Sequence, residues 1–192
     1  MSAFVGKRTS VLALRMSVTY QETGDDMMPV QALFGLSVLT SFVAFSIVAK
    51  LYIAPRLRAM PLKDALRCLI APHMFRCVGL SFLVPGVVSP TLSTSFSTPA
   101  AYGDEIAALL AIIATIALTI RVAWAAAMVW LFNLWGAGDL LYAFYQGLIG
   151  AGIDPATLGA AFYIPTLVVP PLLITHAMIF WLLLRARAQR EP

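Results

Sequence analysis

The stretch Ile106–Gln146, IAALLAIIATIALTIRVAWAAAMVWLFNLWGAGDLLYAFYQ, decides the fold. Its apolar character is broken strongly only at Arg121. As one helix it would extend about 60 Å at 1.5 Å per residue, twice the ~30 Å hydrocarbon core of a bilayer. The economical solution is two membrane-spanning helices, over about 105–120 and 122–146, joined by a tight turn at Arg121. No Gly or Pro marks that turn.

Outward from this pair the chain repeats the pattern. Toward the C-terminus, Gly147–Thr157 with Asp154-Pro155 is a loop, and 158–184 is a span interrupted by Pro165, Pro170 and Pro171. Arg185, Arg187 and Arg190 follow in a basic tail over 186–192. Toward the N-terminus, Asp104 and Glu105 are expected to open the helix, where carboxylates suit the positive end of the dipole. Ser89–Gly103, SPTLSTSFSTPAAYG, has the composition of a loop. A span is expected over 69–88, with Pro72 near its start and Pro85-Gly86 near its end. Leu51–Arg67 is a basic loop whose second half, from Pro61, lies along the membrane surface as a helix. The first span is Pro29–Ala49, ended by Lys50. Residues 1–27 are moderately polar and are expected to form a disordered tail outside the 28–185 bundle.

Composition agrees. The chain is 60% hydrophobic and 11% charged over 192 residues, with a mean hydropathy of +0.87, far from soluble norms. Helices and closed barrels alone satisfy every backbone group in hydrocarbon, and a barrel would show alternating strands of about ten residues in place of long apolar blocks. The fold class is therefore all-α, an integral bundle of five transmembrane helices. A net charge of +4 does not point to nucleic acid, because the basic residues gather at the ends of apolar segments. Cys68 and Cys77, nine positions apart on a helix, are separated by about 13 Å of rise and do not pair.

The charges orient the bundle. With the C-terminus in the cytoplasm, Lys50, Arg56, Arg58, Lys63, Arg67, Arg121, Arg185, Arg187 and Arg190 all lie inside, and the two outer loops hold neither Lys nor Arg. Five spans then place the N-terminus outside, where Lys7, Arg8 and Arg15 oppose the rule. A translation start at Met27 or Met28 would remove them.

The blocks PHMFRCVGLSFLVPGVVSP (72–90), AYGDEIAALL (101–110) and VWLFNLWGAGDLLYAFYQG (129–147) resemble a family of small bacterial multi-pass membrane proteins with no assigned function. The likeness covers most of 28–184. It implies a bacterial inner-membrane location and no catalytic residue.

Few polar residues lie inside the spans. His73, Arg76, Cys77 and Leu80 follow i, i+3, i+4, i+7, so one helical face presents an imidazole and a guanidinium in the inner leaflet, the level also expected for His176. Two histidines on different helices can ligate a b-type haem, with Arg76 on a propionate. Against that stand interhelical hydrogen bonding for the histidines and snorkelling for the arginine. In the fourth span, Asn133 precedes a stripe of Trp135, Asp139, Tyr142 and Gln146. A carboxylate in a span is costly unless it faces a partner or water, which makes Asp139 the leading candidate for passage of an ion, a proton or a polar substrate. The plainer reading is a hydrogen bond near the outer interface, with Gly136 and Gly138 allowing close packing and the aromatics forming a belt. Direct pairing of Asp139 with Arg76 is not expected, since helix rise puts Arg76 about 10 Å deeper.

No P-loop, GxSxG elbow, HExxH or dinucleotide fingerprint is present, and nothing marks an enzyme or a metal site. The first reading is a small carrier or channel-like subunit embedded in the lipid bilayer, whose polar stripe about Asp139 lines a cavity. The alternatives are a redox component holding haem or quinone between His73 and His176, and an accessory subunit working in a homo-oligomer or a larger membrane complex.

Overall fold

The computed structural model describes residues 28–189. The expected tail over 1–27, the start at Met27 and the end of the basic tail lie outside these residues. Among them the long helices follow in the order α1 (Val30–Arg58), α2 (Leu62–Leu83), α3 (Thr94–Ile120), α4 (Ala125–Tyr145) and α5 (Ile164–Ala188), and no strand occurs. Four of these, α1, α2, α3 and α5, are long and apolar enough to cross a membrane. The fifth, α4, has 21 residues but interrupts its apolar surface with Asn133, Gly136, Gly138 and Asp139.

Several boundaries differ from the sequence reading, each for a local reason. Lys50 does not end α1. A π turn over Ala49–Ile53 leads into a further α-helical turn at Ala54–Arg58, so the backbone ladder is already shifted where Pro55 withdraws its N–H. Only residues 59–61 separate α1 from α2, so the first half of the expected basic loop is mostly helical, and the helix expected from Pro61 is present as the start of α2. Arg56 and Arg58 close α1, where cations complement the negative end of the dipole. The outer loop is also shorter than its Ser, Thr and Pro content suggests: α3 begins at Thr94 and carries Pro99 within its second turn. The last span starts late, because Gly159 (φ 53°, ψ −131°) breaks the chain within the 3₁₀ segment Pro155–Phe162, ahead of α5. A Cβ at Gly159 would lie 2.3 Å from the Val87 carbonyl oxygen. The prolines 170 and 171 fall in the first turn of the α-helical part of α5, where they are tolerated.

The turn expected at Arg121 is present. Arg121 takes the left-handed conformation (φ 60°, ψ 38°) that terminates α3. Its N–H returns to the Ala117 carbonyl, and α4 starts four residues later.

Two apolar clusters fill the bundle. The cluster at the Arg121 end joins Leu66, Ile70, Val129, Phe132, Ile179 and Leu183 with buried alanines of α3 at 111, 114 and 117. The cluster at the opposite end joins Phe82, Phe96, Leu140, Leu158, Ile164 and Leu172. Small residues along α3 let α2 and α4 approach its backbone closely. Between the two clusters lies a buried polar layer.

Candidate functional site

The polar layer is positioned by an unusual segment of α2. Leu62–Ile70 is α-helical, but Ala71–Leu83 continues as a 3₁₀-helix of 13 residues, far beyond the usual length of such runs. With three residues per turn, positions three apart stack in a straight line. The buried residues of the segment are His73, Arg76, Gly79 and Phe82, at that spacing. Cys77, placed on this face by α-helical spacing, is exposed.

The points at which the helices start set the depth. A hydrogen bond of 3.3 Å from Arg67 Nη1 to Thr119 Oγ1 ties the start of α2 to the end of α3. Counted from Leu62, nine α-helical and five 3₁₀ residues lift Arg76 by about 23 Å, of which the 3₁₀ geometry adds about 2.5 Å over an α-helix. Asp104 lies about 24 Å from the end of α3, and Asp139 about 21 Å from the start of α4, by the same rise. Three charges from three helices therefore meet at one level.

Arg76 is 1% exposed, and acceptors surround all three of its guanidinium nitrogens. Its Nε donates to Asp104 Oδ1 at 2.7 Å, and Nη2 lies 2.7 Å from the same oxygen. Nη2 also donates to Asp139 Oδ2 at 2.6 Å. Nη1 donates to the Gly136 carbonyl at 3.0 Å and faces His176 Nε2 at 3.5 Å. The expectation that Asp139 and Arg76 do not pair directly is thus corrected: α2 begins at Leu62 and α4 at Ala125, which brings the two side chains to one level. Asp104 does not open a helix. It sits ten residues inside α3, buried, as the second arm of the same ion pair.

Glycines make room for these side chains. A Cβ at Gly79 would fall 2.1 Å from Asp104 Oδ2, and one at Gly103 would fall 1.7 Å from Asp139 Oδ1. A Cβ at Gly136 would press within 2.9 Å of both Arg76 Nη1 and the His176 ring.

The histidines form the next tier. Asn133 Nδ2 donates to the His176 carbonyl at 3.2 Å, which turns its Oδ1 toward His176 Nδ1 at 2.7 Å. His176 Nδ1 then carries the proton and Nε2 presents its lone pair to Arg76. His73 Nε2 lies 2.9 Å from Thr175 Oγ1, whose own hydroxyl donates to carbonyls one turn back in α5. This leaves His73 Nδ1 buried without a partner. The two imidazoles pack on each other at 4.2 Å between centroids, with Phe132 against both.

The remaining sequence candidates stand apart from the charges. Trp135 is 43% exposed, and its indole N–H reaches the Gly103 carbonyl at 3.4 Å. Gln146 Nε2 donates to the Tyr142 hydroxyl at 2.8 Å, away from Asp139. No group of three or more metal-ligating side chains occurs among the described residues.

Beside the cluster lies a cavity of about 720 Å³. Its walls are apolar and come from every helix: Phe34, Val38 and Phe42 of α1, Phe82 of α2, Phe96 of α3, Phe144 of α4 and Ile164 of α5. Asp104 and Asp139 form its polar floor, and Gln31 and Asp154, 3.4 Å apart, close its far end. Sequence reasoning found Asp139 and Arg76 but missed Asp104, Gly79 and Gly103. The available signal was the three-residue spacing of His73, Arg76, Gly79 and Phe82.

No curated protein and no solved structure matches the chain. A family model described as a domain of unknown function, DUF8737, matches residues 33–184 and so takes in all five helices and the whole charged cluster. The chain belongs to the DUF8737 family.

Proposed function

We propose that this protein is a carrier-type subunit of the bacterial inner membrane that crosses it five times and binds a lipophilic organic cation in the cavity above Asp104 and Asp139. The observation that carries the reading is the floor of that cavity: two carboxylates share one guanidinium, a formal charge of −1, beneath apolar and aromatic walls. Among the described residues no second Lys or Arg pairs with either carboxylate. Uncompensated charge in hydrocarbon is costly, so a cation with an apolar body is the complementary ligand. Aromatic faces at the wall add favourable quadrupole contacts with such a cation. The α4 helix supports a fifth crossing, since 21 residues rise about 31 Å, and α4 returns antiparallel to α3 after the Arg121 turn. The absence of Lys and Arg from the two outer loops supports the orientation.

The test uses two probes of nearly equal size and opposite charge. Tetraphenylphosphonium is expected to bind the purified full chain, and tetraphenylborate is not. Binding should weaken as pH falls, because a proton competes with the cation for the carboxylates. Asp139→Asn should weaken it at least tenfold, and Ala143→Phe, which fills the cavity beside α4 without touching the ion pair, should abolish it. Equal binding of both probes, or binding unchanged in Ala143→Phe, would refute the reading.

A further inference from the structure

At the opposite, arginine-rich end of the bundle a second groove, of about 340 Å³, runs between the last turn of α1 and α5. Its walls are Ala54, Leu57, Ile174, Met178 and Leu182, with Arg58 and Trp181 at its rim. Two guanidiniums lie over the one indole: the Arg58 carbon is 5.9 Å and the Arg185 carbon 5.4 Å from the Trp181 ring centre. Neither arginine forms an ion pair with a carboxylate among the described residues.

We propose that this groove binds an anionic phospholipid of the adjoining leaflet, its phosphate between Arg58 and Arg185 and an acyl chain along the apolar wall. Three observations converge on that occupant. Like charges gathered about one indole attract an anion that neutralises both, and planar guanidiniums suit phosphate oxygens. An indole at the rim of an apolar groove is where a tryptophan at the membrane interface sits, with its ring at headgroup level. The first helix supplies the third: only 6% of its most apolar window is buried inside the bundle, so α1 is held by few protein contacts. A lipid that bridges Arg58 of α1 and Arg185 of α5 would fasten this helix to the bundle. The site is separate from the cavity over Asp104 and Asp139, and its test does not depend on that reading.

The experiment follows tryptophan fluorescence of the full chain in phosphatidylcholine nanodiscs, titrated with phosphatidylglycerol carrying brominated acyl chains that quench nearby indoles. An excess of quenching by phosphatidylglycerol over brominated phosphatidylcholine is expected at low mole fraction, above the common background from the exposed Trp124 and Trp135. The excess should vanish in Trp181→Phe, which assigns the signal. Arg58→Gln and Arg185→Gln each should weaken the apparent affinity about fivefold, the effect of one basic residue at an anionic surface. Arg56→Gln, whose guanidinium bonds the Tyr52 carbonyl, should leave it unchanged. Equal quenching by the two lipids, retention of the preference in the Arg58→Gln/Arg185→Gln double variant, or persistence of the signal in Trp181→Phe would overturn the proposal. So would displacement of the lipid by millimolar inorganic phosphate, which would make the site one for the free anion.

Discussion

At the scale of single residues, Arg76 holds the polar layer together. An arginine and two aspartates removed from water must recover several kcal/mol per ion, and a guanidinium with acceptors on all three nitrogens is one of the few ways to do so. Removing the arginine alone leaves two carboxylates buried without it. Arg76→Met is therefore expected to lower stability by about 3–5 kcal/mol, seen as a large fall in the thermal midpoint of the detergent-solubilised protein. Arg76→Lys keeps the charge but offers one donor point in place of a fork, so it should recover only part of that loss. The triple change Arg76→Met, Asp104→Leu, Asp139→Leu removes all the charges and should fold well while binding no cation. A triple variant as unstable as Arg76→Met alone would contradict this account. Gly103→Ala belongs to the same test: its Cβ would fall 1.7 Å from Asp139 Oδ1, so Asp139 must move and cation binding should be lost.

At the scale of elements, the informative segment is the 3₁₀ half of α2. Sequence patterning places Arg76 inside a span and on one face with His73, as the structure has them, but α-helical spacing wrongly adds Cys77 to that face. The depth error comes mainly from the helix starts, Leu62 for α2 and Ala125 for α4, since the 3₁₀ rise adds only about 2.5 Å. A 3₁₀ run of 13 residues is rare enough that no sequence prior favours it. The missed role of Asp104 has a related cause: Ser, Thr and Pro near the start of α3 have the composition of a loop, yet in a bilayer the helix continues because its backbone groups have no other partners. By contrast, the hydrophobic blocks, the Arg121 turn and the prominence of Asp139 were legible, since bilayer thickness and the cost of a buried charge constrain them directly. The Arg121 turn offers its own measurement. An L-residue in the left-handed region costs about 1–2 kcal/mol, and glycine does not incur it. Arg121→Gly should raise the thermal midpoint and Arg121→Val should lower it. If Val equals wild type, the left-handed turn is not at residue 121.

At the scale of the whole molecule, the question is how many times the chain crosses the bilayer, and α4 decides it. Its polar residues reduce its apolarity, yet Asn133 and Gly136 face α5 and α2 within the bundle, so the cost of insertion is met by protein partners. If α4 crosses, the turn between α1 and α2 and the turn at Arg121 share one side, and the loops around Thr91 and Ala156 share the other. Single cysteines in a Cys68→Ser, Cys77→Ser background test this with a membrane-impermeant maleimide on intact cells stripped of their outer membrane. Thr91→Cys and Ala156→Cys, both exposed, should react at once. Ala59→Cys and Ala123→Cys, also exposed, should react only after the membrane is opened. Labelling of Ala123→Cys and Ala156→Cys from the same side would mean that α4 does not cross. Asp139 would then lie at a membrane surface, where two carboxylates and one arginine need no apolar cation to balance them, and the proposed function would fall with the topology.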